Sequence, residues 1–387
     1  MRKVTSRHKG LLLTAIMIIA SIALIYTQSI NWETSAETDE FYFGASFGGQ
    51  TVQEAKTQID KVKNFTNFFV INSYDLSTNE TALNEVCDYA AQANLNFIVY
   101  FDFISRIAYP WHQTWLDTAK ERWEGKFLGI YLRDEPGGHQ IDEQDPIKNA
   151  TGYSDAANQF VNNILLSNSM IDTKNKTIST FTSDYALYWW DYLAGYDTVF
   201  VELGWKLNST QQIALCRGAA NIQGKDWGAI ITWTYYDPPY LGTPKEIYGE
   251  MTLAYRAGAK YVVVFNYPTY PEGNPYGTLS EGHLKAMEQF WKDTKTHPRK
   301  NNEKTSSEVV LVLPKDYGWG MRRNDYISQD NIWGLWPEDE KTPVIYENIK
   351  TLLNMYGLKL DIIFEDENFY FEDKYSQVHF WNTTVHP

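Results

Sequence analysis

Apolar residues in this chain come in short runs of five to eight, each followed by a longer amphipathic stretch. FYFGASFGG (41–49) precedes TVQEAKTQIDKVKNF, and NFFVINSYD (67–75) precedes TALNEVCDYAAQAN. NFIVYFDF (96–103), FLGIYLRDE (127–135) and TISTFTSDY (177–185) begin the next three pairs. TVFVELGW (198–205), WGAIITWTYYD (227–237) and YVVVFNYP (261–268) complete the series. The runs are rich in β-branched and aromatic residues and lack strict alternation, as strands buried on both faces do. The stretches between them show helical spacing and open on cap-like residues such as Ser154, Ser209 and Ser280. Eight strand–helix units in about 250 residues predict a (β/α)8 barrel over 41–295. An open doubly wound sheet is the alternative, but no glycine-rich phosphate loop follows the first run.

Residues 295–307, KTHPRKNNEKTSS, read as a linker. Beyond it EVVLVLP (308–314), a helix over 342–357, LKLDIIFED (358–366) and SQVHFWN (376–382) predict a small α/β module over 308–387. The aromatic, polar segment between its first strand and helix either reaches over the barrel mouth or packs on the barrel side. Within the barrel, PGGHQIDEQDPIKNATGY (136–153) reads as one long loop, because Pro136-Gly137-Gly138 interrupts regular structure. Loops of that length are commonly functional.

The first 30 residues form a targeting element. Arg2, Lys3, Arg7 and Lys9 precede an uncharged run from Gly10 to Tyr26, near the lower limit for a spanning helix. The expectation is a membrane anchor with the body outside the cell membrane, or a secreted protein if the segment is a cleaved signal. Sequons at Asn64, Asn79, Asn149, Asn175, Asn208 and Asn382 agree with export. Cys87 and Cys216 are the only cysteines and read as free buried thiols. The net charge of −14 argues against a nucleic-acid partner. Aromatics make up 16% of the chain, with 14 Trp and 27 Tyr, which suits either bulky core packing or stacking on sugar faces.

Chemistry concentrates where the strands end, the face that carries barrel active sites. The fourth run stops abruptly at Arg133-Asp134-Glu135, a costly cluster unless paired or used. Other strand ends supply Tyr100 and Asp102, Thr182 and Asp184, Glu202, Tyr236 and Asp237, and Asn266. Glu202 lies between Val201 and Leu203, where burial raises a carboxyl pKa. Arg133 is its candidate counter-charge, through a structural pair with Glu202 or Asp102. Two carboxyl groups across a cleft are what glycosidic cleavage needs: one protonates the leaving oxygen, the other attacks or activates water.

The Asp134-Glu135-Pro136 end resembles the Asn-Glu-Pro end of the fourth strand in clan A of the glycoside hydrolases. The resemblance covers the barrel and implies that Glu135 is the general acid/base and that Asp134 contacts the sugar. The clan carries its nucleophile, a Glu, at the end of the seventh strand, where ITWTYYDPP offers Asp237 instead. Either Glu202 or Asp237 is then the second carboxylate. Asp102, Asp134, Arg133, Tyr100, Tyr236 and Asn266 are candidate sugar-binding residues. Trp205, Trp233, Trp333 and Trp336 are candidate stacking platforms or core. The histidines show no metal-ligand spacing, and no cofactor is implied. The expected function is an exported glycoside hydrolase acting on an external polysaccharide or glycan. The competing expectation is a non-catalytic surface barrel that binds carbohydrate or protein.

Overall fold

The computed structural model describes residues 40–101, 111–268, 274, 277–299, 307–320 and 332–383. Eight parallel strands close into a barrel: β1 (Tyr42–Phe47), β2 (Phe68–Ile71), β3 (Asn96–Tyr100), β4 (Phe127–Tyr131), β5 (Thr180–Asp184), β6 (Thr198–Leu203), β7 (Asp226–Ile231) and β8 (Tyr261–Asn266). Strand β8 pairs back onto β1 from Tyr42–Tyr261 to Phe47–Asn266, so no edge is left open. The expected (β/α)8 architecture is present, with strands shorter than their apolar runs suggest. The seventh run ends as a strand at Ile231, and Thr232 to Asp237 continue as rim.

Side chains of alternate residues fill the barrel. Tyr42, Phe68, Ile98, Phe181, Phe200, Ile230 and Tyr261 form the interior cluster, with Tyr42 and Tyr261 stacked at 4.9 Å. Two residues further along, the interior turns polar: Ser183 follows Phe181, and Glu202 follows Phe200. The β3–β4 register slips by one residue between Phe97–Phe127 and Ile98–Gly129. This bulge shifts the alternation in β4, and Tyr131 belongs to the interior cluster near that polar level.

The helical layer begins with α1 (Val52–Val62), α2 (Tyr74–Ser77), α3 (Glu80–Gln92) and α4 (His112–Arg122). The segment read as a long loop contains α5 (Pro136–Glu143). Proline is compatible with the first helical position, where its missing N–H costs nothing, so Pro136 starts a helix instead of ending regular structure. Next come α6 (Tyr153–Leu165) and α7 (Asn168–Asn175), separated at Ser167, whose hydroxyl accepts from Met170 N and caps the second. Helices α8 (Tyr188–Leu193), α9 (Ser209–Gln223), α10 (Pro244–Arg256) and α11 (Glu281–Thr296) complete the layer. Among the described residues no helix is long and apolar enough to cross a membrane, and the apolar run 10–26 lies outside them.

A parallel sheet in the order β10 (Leu360–Phe364), β9 (Val309–Leu313), β11 (Gln377–Phe380) follows, with α12 (Thr342–Tyr356). The described residues from Phe41 onward belong to one compact unit, so barrel and sheet are not separate bodies. Eleven of the fifteen residues of α9 are buried, because the sheet covers its outer side. Gly218 permits this: a Cβ there would stand 2.6 Å from the Ile362 carbonyl oxygen. Beside it lies an ion pair with both side chains almost fully buried. Arg217 Nε donates to Asp361 Oδ1 at 2.7 Å, and its Nη2 donates to the carbonyls of Leu358 (2.7 Å) and Leu360 (2.9 Å). Asn221 Nδ2 and Tyr375 Oη donate to Asp361 Oδ2 at 3.0 and 2.9 Å. Every strong donor has an acceptor, which offsets the desolvation of both ions. Arg217→Ala leaves Asp361 charged and unpaired; it is expected to cost about 3–5 kcal/mol in urea unfolding, against a near-neutral effect for an apolar replacement of both residues.

Candidate active site

The end of β4 is strained. Arg133 and Glu135 both have left-handed backbones, φ +52° and +47°. Each costs on the order of 1–2 kcal/mol for an L-residue, so local bonds must hold them. Thr182 Oγ1 donates to the Arg133 carbonyl at 2.7 Å, and Glu135 N donates to the Ser183 carbonyl at 3.0 Å. The carboxylate of Asp184 accepts from the backbone N–H groups of Gly137 and Gly138, the first turn of α5. It also accepts from Tyr185 N (2.7 Å) and Ala186 N (2.9 Å). A side chain from the next strand thus caps α5. Both glycines are needed for that approach: a Cβ on Gly137 would meet the Ala186 carbonyl oxygen at 2.6 Å, and one on Gly138 the Tyr185 ring at 2.2 Å.

Glu135 therefore stands half-buried at the mouth, above Glu202, which is only 4% exposed inside β6. Glu202 Oε1 accepts from Ser183 Oγ at 2.6 Å, and Oε2 has no donor from a hydroxyl, amide or cation. The carboxyl group of Glu135 lies within hydrogen-bonding reach of that of Glu202. Two carboxylates cannot hydrogen-bond without a proton between them, so this contact holds one. Burial raises both pKa values, and the charges of Glu202 and then Asp134 raise Glu135 further. For Glu202, the hydrogen bonds from Ser183 and Glu135 oppose the rise. Burial pushes Glu202 up to about 8 and Glu135 higher still, so when one of the two ionises it is Glu202 that gives up its proton and Glu135 that keeps it. Asp134 Oδ1 accepts from Tyr131 Oη and, at 3.2 Å, from Ser183 Oγ. Tyr131, Ser183, Asp134, Glu135 and Glu202 form one network across β4, β5 and β6.

Arg133 is not the counter-charge the sequence suggested. Its guanidinium lies 3.7 Å from Asp145, and among the described residues Glu202 has no ion pair. Asp102 lies outside the described residues. Asp237 is brought to an exposed turn closed by Tyr240 N to Asp237 O at 3.0 Å, not to the carboxyl network. Tyr100 shares the polar level of the interior, with its ring 5.6 Å from that of Tyr131. Trp205 and Tyr236 pair at 4.7 Å on the β6–β7 side of the mouth, and Tyr236 is 84% exposed. Trp233 packs on Phe265 at 5.3 Å beside them.

Two candidates lie away from the mouth. Asn266 falls on the outward phase of β8: its amide donates to Gln58 Oε1 at 2.9 Å and accepts from Thr278 Oγ1 at 3.1 Å, leaving nothing for a sugar. Trp333 is fully buried between Trp190 (4.7 Å) and Phe160 (5.9 Å), with Nε1 donating to the Asp316 carbonyl. The described parts of its segment pack on the side formed by α5 and α6: Gln140 Nε2 donates to the Trp333 carbonyl at 2.9 Å, and Trp336 packs on Tyr153 at 5.2 Å. Ser183, Tyr131 and Asp191 were not singled out from the sequence. Two-residue counting from Phe181 and Phe200 is the signal that puts Ser183 on one level with Glu202. Among the described residues no group of three or more His, Cys, Asp or Glu side chains is arranged to hold a metal ion.

No family model matches the chain, and no curated protein matches it. Among solved structures it is similar to the spore coat polysaccharide biosynthesis protein spsE of Bacillus subtilis, at 10% identity, with 68% of this chain and 71% of that chain covered and a TM-score of 0.40. It is similar to a β-mannanase of the blue mussel Mytilus edulis, at 9% identity over 65% of this chain and 92% of that one, TM-score 0.40. A mutant structure in complex with xylotriose gives 10% identity, 66% and 98% coverage and a TM-score of 0.42. Likenesses this distant assign no chemistry, and the side chains carry the argument.

The raised Glu135 pKa has a definite sign for stability. The folded chain holds a proton that the unfolded chain releases near pH 4.3, so this group's contribution is full below that value and is lost as pH rises through the folded pKa. Glu202→Gln removes the neighbouring charge and lowers the Glu135 pKa. Urea unfolding at pH 4, 6 and 8 is expected to show a smaller decline with pH in the variant than in the parent chain.

Proposed function

We propose that this chain is a retaining glycoside hydrolase with Glu135 as general acid/base and Glu202 as nucleophile. The supporting observation is the proton-sharing contact between these two carboxyl groups at the C-terminal rim of the barrel. Inverting enzymes hold their carboxyl groups roughly 6.5–9.5 Å apart to admit a water, whereas retaining enzymes hold them about 5–5.5 Å apart. A direct hydrogen bond favours the shorter arrangement. The two groups also have unequal environments: in the singly ionised pair the proton stays on Glu135 at the mouth and the charge sits on Glu202 below it, which is the division of labour an acid and a nucleophile need.

The substrate enters between them and takes over the hydrogen bond. Glu135 passes its proton to the glycosidic oxygen as the bond to the anomeric carbon breaks. A Glu202 oxygen attacks that carbon and forms a glycosyl ester. Glu135, now a carboxylate, takes a proton from water as the water attacks the same carbon and frees Glu202. Ser183, which donates to Glu202 at 2.6 Å, keeps the nucleophile's other oxygen fixed throughout. The Trp205–Tyr236 ledge offers flat faces to a sugar ring beside the dyad. Asp134 in the network and Tyr100 beside Tyr131 are the candidate sugar-binding residues closest to the Glu135–Glu202 pair. The basic and apolar N-terminus adds export to this reading, with an extracellular polysaccharide or glycan as substrate.

Glu135→Gln is expected to lower kcat by about 10²–10⁴-fold on glycosides with poor leaving groups and far less on dinitrophenyl glycosides, which need no acid. Proton NMR of the first-formed product should show a retained anomer. A wild-type chain that binds oligosaccharide but turns over none of a broad glycoside panel would mark it as a non-catalytic carbohydrate-binding barrel. Trp205→Ala is expected to raise KM several-fold with kcat little changed, if the ledge holds a sugar ring in ground and transition state alike.

A further inference from the structure

A second pair of carboxyl groups lies on the outer side of β5. Asp184 and Asp191, the latter in α8, are both fully buried and hydrogen-bonded to each other. Neither oxygen of Asp191 receives a donor from a hydroxyl, amide or cation. Asp184 receives four backbone N–H groups, from Gly137, Gly138, Tyr185 and Ala186. This asymmetry puts the charge on Asp184 and a proton on Asp191, whose O–H donates to it. The four N–H groups come from two chain segments, the first turn of α5 and the exit of β5. Asp184 is therefore the joint between them, and Glu135 is the residue immediately before that turn.

We propose that Asp184, held charged by a proton on Asp191, is a positioning residue that seats α5 and so fixes Glu135 in its left-handed backbone against Glu202. The proposal rests on Glu135 being the working acid; the seat itself does not. The titratable groups that interact electrostatically with the pair are Arg133 and Glu135 from the β4 end, Tyr185 after β5, Tyr188 and Tyr192 from α8, Tyr196, Glu202 across the barrel wall in β6 and Cys216 from α9. Arg133 supplies the one positive charge among them. The tyrosines and Cys216 stay neutral, so burial and the repulsion between the two carboxylates decide, and one shared proton is the stable state of the pair.

Two measurements on the full chain test this, and neither reads turnover. The first is unfolding between pH 5 and pH 8 for the parent and Asp191→Asn, whose amide N–H replaces the acid O–H. The folded parent keeps the Asp191 proton, while the unfolded chain loses it near pH 3.9. Parent stability thus falls as pH rises, and the variant lacks that loss. The ratio of variant to parent folding constants should rise about tenfold per pH unit until the folded pair titrates. A ratio independent of pH overturns the shared proton.

The second is the titration of the Glu135 carboxyl by carbon-13 NMR, assigned by its disappearance in Glu135→Gln. Asp184→Asn should lower the Glu135 midpoint, because the seat loosens and a nearby negative charge is gone. Asp191→Asn should move it less, since Asp184 keeps both its charge and its donor. If Asp184→Asn does not fold, Gly138→Ala serves instead, because its Cβ would collide with the Tyr185 ring and lift α5 off Asp184. An unmoved Glu135 midpoint in the folded variant overturns the positioning role. A chain without glycosidase activity that passes both tests would sink the hydrolase reading alone.

Discussion

Buried carboxyl groups without cations must share protons, and this constraint organises one end of the barrel. Asp134, Glu135, Asp184, Asp191 and Glu202 gather around the ends of β4, β5 and β6, while the nearest guanidinium, Arg133, lies 3.7 Å from Asp145. Full ionisation of five such groups in a low-dielectric setting costs far more than the fold can supply. The chain meets the constraint with two protonated pairs and with hydroxyl and backbone donors. The shared proton sets which member of each pair is acid and which is base. Site chemistry and stability against pH therefore have a common origin.

The barrel beneath serves this arrangement by keeping water out. Aromatic rings fill its lower interior, with Phe181 stacked on Phe200 at 5.9 Å and Tyr261 edge-on to both. Ser183 and Glu202 stand directly above these rings on the same strands. The bulge in β4 brings Tyr131 to the same level. A regular strand would have sent that hydroxyl into the helical layer, away from Asp134.

The eight units were legible because each buried strand is a compact apolar run and each helix carries its own cap. Glu135 and Glu202 were legible as acids that apolar neighbours could not explain. What sequence alone missed depended on partners distant in the chain. Pro136-Gly137-Gly138 reads as a break until Asp184, far along the chain, supplies the cap that makes it a helix start. Asn266 looks like a rim residue until strand phase turns it toward Gln58. Trp333 resembles a stacking platform until α6 and α8 enclose it. Asp237 matched a family position by order along the chain, while the strand it was assigned to ends at Ile231.

Helix α9 has a core on both sides, and its second core comes from the last quarter of the chain. Arg217 and Asp361 are 144 residues apart, and Arg217 has no comparable anion among its barrel contacts. During synthesis the eighth strand emerges well before β10, so a nascent barrel presents an apolar helix face with a lone guanidinium in its middle. Long-range closure of this kind is slow, and exposed apolar surface in the interval invites association. The final sheet is thus the step that covers this face and gives Arg217 its anion, and the interval before it is where a chaperone would have most to hold.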